Sequence, residues 1–285
     1  MIIILNESPS YEMEHWNFKM AFTQADLNEK IFMHQPELFV MKENYVCLLK
    51  KSLYGLKQAA KNWAEMLRQL FRDICFTNFF SDPCVYFKKI DSAWCFASTH
   101  VDDIFVLFNS PGKKLRDELF QRISSKVEIE NLGTISWALK TAVQRDRTAG
   151  ITKISQEAFI TEILQKHGVS VPPIPQLIPT YENCFLPKNF QTEDYVADEA
   201  LKKLYQSQIG ALWWLTSISR PDIYYAVHRC SKMQNKPTKA LGKCLEKIFL
   251  YLASTKKFGL VYQRKLGSPT LSGFVDAAFG SSDED

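Results

Sequence analysis

Two adjacent aspartates, Asp102 and Asp103, are the residues whose types and spacing point most directly to chemistry. They lie between two short segments rich in apolar residues, 95–99 and 104–108, so we predict two strands joined by a turn that carries both carboxylates. Adjacent carboxylates repel each other unless a cation or a partner relieves them, and Mg²⁺ prefers such oxygen ligands. A hairpin of this kind can hold a divalent metal for phosphoryl transfer. Taken alone, the pair also fits an ordinary turn, where aspartates bond the local backbone.

The composition excludes several classes of protein. The chain has 285 residues, 46% hydrophobic and 23% charged, which is the apolar content of a folded protein. Seven cysteines without a C-x-x-C pair and five histidines without ligand spacing argue against a zinc site or a disulfide framework. No apolar run approaches about 18 residues, so we expect no membrane span and no secretion signal. We therefore expect an intracellular protein of the cytoplasm or nucleus, with free thiols.

Positive charge is concentrated in two stretches of the chain. Residues 42–72 contain seven basic and two acidic residues, and residues 229–257 contain eight basic residues and one acidic residue. Such stretches suit a partner with a phosphate backbone. They also fit the solvent-exposed faces of ordinary helices, and charge alone does not separate the two interpretations.

The elements around the aspartates can be predicted from the spacing of apolar residues. Three- and four-residue spacing predicts helices at 59–75, from 110 onward, and at 155–167, 201–217, 223–233 and 238–253. Between 170 and 187 lie five of the chain's 12 prolines, which predict a connector. Two further strands are predicted at 260–263 and 271–275.

A longer string resembles a known family. Residues 52–63, SLYGLKQAAKNW, resemble the SLYGLKQAPRxW signature of copia-type retrotransposon reverse transcriptases. His100-Val101-Asp102-Asp103 resembles the family's YVDD, and residues 219–223, SRPDI, resemble its TRPDI. Further matches follow in the family's order at residues 20–37, 81–86, 131–133, 154–156, 205–212, 251–252, 259–260 and 273–276.

The resemblance implies an α+β fold. This is the right-hand polymerase palm, with an antiparallel sheet and packed helices, followed by a mostly helical connection. It divides the chain into a palm with the start of a thumb at 1–170, a proline-rich connector at 171–199, a helical connection at 200–258 and a truncated start of a ribonuclease H-like domain at 259–285. The family's fingers would be largely missing, because only residues 1–16 precede the first palm motif.

The resemblance also implies a site and its ligands. Asp102 and Asp103 would be catalytic and would hold Mg²⁺ or Mn²⁺ for two-metal nucleotidyl transfer. The nucleotide- and template-binding residues carried over from the family are Phe22, Tyr54, Gly55, Lys57, Gln58 and Lys61. Deoxynucleoside triphosphates, an RNA template and an RNA–DNA hybrid would be the partners, and Asp276 would be a remnant of the ribonuclease H site. Phe22 also fits a buried strand aromatic, and Lys57 and Lys61 also fit a solvated helix start.

One departure from the family falls in the catalytic set. The family's DVKTAF reads NFKMAF at 17–22, so Asn17 occupies the position of the first catalytic aspartate. An amide is a neutral and weaker ligand than a carboxylate, so we expect impaired catalysis and a metal bound weakly if at all. The alternative is a non-catalytic remnant that at most binds nucleic acid. If the palm interpretation is right, Asn17 lies on a strand near 16–19 and meets the aspartate turn.

Overall fold

The structure is a computed structural model, and it describes residues 1–179, 198–264 and 273. The chain divides into two compact units, Met1–Ile135 and Ser136–Asp285. Each unit combines helices with antiparallel strands. Within the described residues, no helix has the length and apolar character needed to cross a membrane.

The first unit is built on a six-stranded antiparallel sheet. Its helices are α1 (Ile2–Glu7), α2 (Ala21–Gln24), α3 (Ala59–Asp73) and α4 (Lys113–Ser124). Its strands are β1 (Glu12–Phe18), β2 (Phe32–His34), β3 (Val46–Leu48), β4 (Thr77–Asn78), β5 (Val85–Ile90), β6 (Ala93–His100), β7 (Asp103–Phe108) and β8 (Ile129–Thr134). The sheet has the order β4-β5-β6-β7-β1-β8, and β2 and β3 form a separate hairpin.

The core of the first unit lies between this sheet and the two longer helices. The predicted stripe of α3 is the buried face, with Trp63 and Phe71 among its members, and α4 buries Leu119 in the same cluster. Five consecutive residues of β7, 104–108, are buried, so this inner strand is covered on both faces. Each buried aliphatic or aromatic side chain contributes roughly 1.5–3 kcal/mol before the entropy of ordering is counted. The aspartate hairpin therefore stands on a rigid support.

The second unit pairs a small antiparallel sheet with four helices in the described residues. The strands are β9 (Trp137–Ala138), β10 (Thr141–Asp146), β11 (Ile151–Ser155) and β12 (Gly259–Gln263), in the order β12-β11-β10-β9. The helices are α5 (Glu157–Lys166), α6 (Glu199–Ile218), α7 (Tyr224–Ser231) and α8 (Lys239–Ser254). Their apolar faces meet in one buried cluster that includes Ile160, Leu212 and Ile248.

The observed elements follow the predicted ones to within a few residues, which is the ordinary uncertainty of helix ends. The compact units divide differently from the predicted domains, since residues 136–170 belong to the second unit. The reason is that β12, predicted to begin a separate domain, pairs along its length with β11. The described part of the connector, 171–179, contains no helix or strand, as its prolines predict. The predicted strand at 271–275 falls almost wholly outside the described residues.

Candidate active site

The hairpin of β6 and β7 carries Asp102 and Asp103 at its tip. His100 and Asp103 are paired across the hairpin, and residues 101 and 102 form the turn. Val101 has a φ of 53°, a left-handed conformation that is uncommon for a β-branched residue. The buried Trp63 holds this turn, because its Nε1 donates to the Val101 carbonyl over 2.9 Å. Strained turns held by their surroundings cluster at functional sites, so the tip is a candidate site.

Asn17 lies directly opposite Asp103 on the neighbouring strand β1. Its Nδ2 donates to Asp103 Oδ1 over 3.2 Å and to the Asp102 carbonyl over 3.3 Å. The expected meeting of this residue with the aspartate turn is therefore observed. At this position the strand presents an amide whose N–H points at an aspartate oxygen.

His15 is a member of the site that the sequence analysis missed. Its Nε2 lies 2.7 Å from the same oxygen, Asp103 Oδ1, and its ring packs 5.0 Å from that of Phe105. The sequence could have predicted His15, because residues two positions apart on a strand share a face and His15 precedes Asn17 by two positions. Two protein donors therefore converge on one oxygen of Asp103.

Glu130 is a second residue that was missed. On β8 it is the partner of Asn17, on the side opposite to Asp103. Directly opposite residues of paired strands project from the same face, so Asn17 stands between two acidic residues. Glu130 is exposed, and its side chain has no hydrogen-bond or ion-pair partner among the described residues.

Tyr54 reaches the other aspartate from the loop before α3. The Leu56 amide donates to the Leu53 carbonyl over 3.1 Å, which closes a turn around Tyr54 and Gly55. Gly55 has a φ of 96°, which only glycine adopts without strain at this position of the turn. The Tyr54 hydroxyl donates to Asp102 Oδ1 over 2.9 Å. Burial and this bond to Asp102 raise the pKa of the tyrosine, so the hydroxyl remains a donor at neutral pH.

Phe22 lies beside the hairpin tip, whereas in the described part of the chain Lys57 and Lys61 have no contact with it through a hydrogen bond or ion pair. The half-buried ring of Phe22 lies 4.6 Å from that of Tyr54, so an aromatic pair stands next to Asp102. Lys57 just before α3 and Lys61 in its first turn are exposed, and their side chains have no hydrogen-bond or ion-pair partner among the described residues. The structure therefore groups Phe22 and Tyr54 with the aspartates and leaves both interpretations of the lysines open.

Comparison with known proteins places this chain in a family. Residues 2–181 match the family described as reverse transcriptase (RNA-dependent DNA polymerase). The chain belongs to the reverse transcriptase family. The copia-type family predicted from the motif strings is confirmed by this match together with relatives from transposons.

The relatives of this reverse transcriptase domain are proteins of retrotransposons. The chain is 31% identical to a retrovirus-related Pol polyprotein from transposon TNT 1-94 of Nicotiana tabacum, over 97% of the chain and 21% of that protein. It is 27% identical to the corresponding protein of transposon RE1 of Arabidopsis thaliana, over 97% of the chain and 18% of that protein. A transposon Ty5-1 protein of Saccharomyces cerevisiae is 26% identical over 92% of the chain and 82% of its own length. The chain thus spans about a fifth of the first two relatives. No solved structure matches it.

The metal and ribonuclease H assignments for this reverse transcriptase domain stay predictions. Reverse transcriptases generally use divalent ions, but the described residues contain no group of three or more His, Cys, Asp or Glu side chains arranged to hold a metal. Asp102 and Asp103 are half-buried and their Oδ1 atoms already accept hydrogen bonds. Asp276 lies outside the described residues.

Proposed function

We propose that the tip of the β6–β7 hairpin is the nucleotidyl-transfer site of an RNA-directed DNA polymerase, and that this copy is catalytically impaired. The observation that carries the proposal is the direct opposition of Asn17 and Asp103, with Asp102 beside them. Family membership supplies the reaction class: a deoxynucleoside triphosphate would extend a primer on an RNA template.

The residues at the tip fit a divalent ion in part. Asp102 and Asp103 would hold Mg²⁺ or Mn²⁺, which would lower the barrier to phosphoryl transfer by neutralising developing negative charge. The chain's own contribution is to present both carboxylates on a rigid hairpin. The pair of Tyr54 and Phe22 would form the wall against which a nucleotide rests, with Gly55, Lys57, Gln58 and Lys61 continuing toward the template. A hybrid of RNA and DNA would be the product-side partner.

The reason for the impairment lies in the partners of Asp103. A metal ion must compete for this carboxylate with the His15 imidazole at 2.7 Å and the Asn17 amide at 3.2 Å. The amide brings no negative charge to replace the missing carboxylate. Altering even an outer partner of a metal ligand typically changes affinity or activity about 10–100-fold, and the loss of a direct ligand exceeds that.

Primer extension tests this proposal. The assay uses the full chain, an RNA template with a DNA primer, and Mg²⁺ or Mn²⁺. We expect the wild-type protein to incorporate no more nucleotide than Asp102→Ala, and Asn17→Asp to incorporate at least about tenfold more than wild type. Asp103→Asn in the Asn17→Asp background should remove that gain.

Two results would overturn the proposal in different ways. Template-dependent incorporation by the wild type above the Asp102→Ala level would show that the site is not impaired. If Asn17→Asp folds as the wild type does by circular dichroism and incorporates no more, the amide is not the cause of the impairment.

A further inference from the structure

Motif residues outside the active site meet in the second unit. The strings that resemble the family at 154–156, 219–223, 251–252 and 259–260 are far apart in sequence. In the structure, Ser219 Oγ donates to Gln156 Oε1 over 2.8 Å, and the Tyr251 hydroxyl donates to Asp222 Oδ2 over 2.8 Å. Three of these motifs therefore meet through polar contacts.

Arg220 is the centre of a polar cluster, and its side chain is 0% exposed. Its Nε and Nη2 donate to Asp222 over 2.8–3.2 Å, and its two terminal nitrogens donate to the carbonyl and hydroxyl oxygens of Thr255. The rings of Tyr251 and Phe258 lie 5.4 and 5.8 Å from the guanidinium carbon. We call Arg220, Asp222, Tyr251 and Thr255 the Arg220 cluster.

The charges of the Arg220 cluster neutralise each other. Burial by itself would raise the pKa of the Asp222 carboxyl, but the hydrogen bonds and charge of Arg220, with the Tyr251 hydroxyl, lower it below its ordinary value. Asp222 therefore stays ionised opposite a permanently charged guanidinium. The cluster itself presents almost no net charge to its surroundings.

The packing of β12 against β11 requires a glycine at position 259, in the last of these motifs. Gly259 pairs with Ser155 where β12 meets β11. A Cβ atom at this position would lie 2.1 Å from the Ile154 carbonyl oxygen, a distance that no side chain tolerates without a backbone shift. The glycine therefore allows the close approach of the strand that forms one wall beside the cluster.

A cavity of about 420 Å³ lies against the Arg220 cluster and carries two further positive charges. Lys153 and Lys257 line it, and Lys153 Nζ donates to the Lys257 carbonyl over 2.9 Å, which holds one ammonium group in place. Because Arg220 and Asp222 cancel, the two lysines give the lining a net positive charge. No described glutamate or aspartate other than Asp222 lines the cavity.

The rim of the cavity adds an aromatic surface. Phe258 lines it and is 57% exposed, although its neighbour Arg220 is fully buried. Cationic grooves edged by exposed aromatic rings suit nucleic acids, since the cations contact phosphates and the rings stack on bases or sugars.

We propose that the cavity beside the Arg220 cluster binds a phosphate group, with Lys153 and Lys257 as its charged contacts and the cluster as its rigid wall. The phosphate belongs to a nucleic-acid backbone or to a free phosphate compound. Only the first source rests on the proposed function, and neither requires that the hairpin tip be catalytic.

The test compares two neighbouring lysines in the full chain. Affinity for an RNA–DNA hybrid is measured by fluorescence anisotropy across a series of salt concentrations. Each phosphate contact that is lost lowers the slope of log affinity against log salt by about one unit. We expect that change for Lys257→Gln and no change for Lys256→Gln, which lies one residue away and outside the cavity lining. Thermal unfolding of Lys257→Gln should match that of the wild type, because Lys257 is exposed.

A second arm separates the two sources of phosphate. Inorganic pyrophosphate is titrated into the same proteins by calorimetry. Pyrophosphate binding that disappears in Lys257→Gln while the hybrid slope stays unchanged assigns the cavity to free phosphate compounds. If Lys257→Gln and Lys256→Gln give the same hybrid slopes and the same pyrophosphate binding, the cavity is not a phosphate site. Because primer extension plays no part, this failure is distinct from a failure of the proposed polymerase site.

Discussion

The hairpin tip of the first unit and the Arg220 cluster of the second both place charged motif residues together, but they treat the charge in opposite ways. At the tip, the carboxylates of Asp102 and Asp103 stay partly exposed and are bonded to the side chains of Tyr54, Asn17 and His15. In the cluster, a carboxylate meets a guanidinium that is 0% exposed. The hairpin tip leaves negative charge available to a ligand, whereas in the Arg220 cluster the charges of Arg220 and Asp222 neutralise each other.

This difference distinguishes two roles of a family motif, packing within the protein and binding of a ligand. A buried guanidinium that is fully hydrogen-bonded specifies packing, because removing its carboxylate partner leaves its charge uncompensated in the interior. Partly exposed carboxylates on a strained turn are instead suited to bind something from solution. The motif strings at residues 100–103 and 219–223 look equally functional in sequence, and only their surroundings distinguish them.

The largest effect that we expect comes from breaking the charge pair of the cluster. Arg220→Met should lower the free energy of unfolding by about 3 kcal/mol, because Asp222 and the buried Thr255 lose their hydrogen bonds to the charged guanidinium. Urea unfolding, with hydrogen exchange in α8 to report on the second unit, measures this. Arg68→Met is the matched control, since its ion pair with Glu65 is on the surface and is worth at most about 1 kcal/mol. Equal effects of the two changes would contradict the packing role of the cluster.

A smaller effect is expected from the glycine beside the cluster. Gly259→Ala should destabilise the protein by about 2 kcal/mol, because the new methyl group meets the Ile154 carbonyl and forces β12 away from β11. Gly242→Ala on α8 is the control with the opposite sign: its Cβ would meet nothing within 4 Å, and alanine favours a helix by roughly 0.5–1 kcal/mol. Chemical denaturation measures the free energy of unfolding of both variants. An increase for Gly259→Ala would contradict the close approach of β12 to the Ile154 carbonyl.

The smallest effect concerns the turn of the hairpin tip. Val101→Gly should stabilise the first unit by about 0.5 kcal/mol. Removing the steric strain of a valine in the left-handed conformation gains about 1–2 kcal/mol, whereas the greater backbone entropy that glycine loses on folding costs roughly 0.5–1 kcal/mol. Val46 on the strand β3 is exposed and does not have a positive φ, so Val46→Gly is the control and should lower the free energy of unfolding. Equilibrium unfolding of the two variants under the same conditions makes the comparison. Destabilisation by both would mean that Val101 is not strained.

The sequence predicted the positions of elements better than the partners of side chains. Apolar periodicity located α3 and α4 because their buried stripes are long and regular. Asn17 could be placed opposite the aspartates because the family motif fixed the strand, and the period of two would also have predicted His15. Glu130 could not be predicted, since its pairing with Asn17 depends on the register of β8 after a helix and a loop. The Arg220 cluster could not be predicted either, because its contacts between Arg220 and Thr255 and between Asp222 and Tyr251 depend on how helices pack.

The measurement that tests the central claim most directly is the affinity of the hairpin tip for Mn²⁺, read by electron paramagnetic resonance of the free ion. If Asn17 stands where a metal-binding carboxylate belongs, Asn17→Asp should bind Mn²⁺ at least about tenfold more tightly than the wild type. Asp103→Asn in the same background should return the affinity to the wild-type level. Equal Mn²⁺ affinity of the wild type and a correctly folded Asn17→Asp variant would contradict the assignment of this position, and with it the assignment of the tip as the polymerase site.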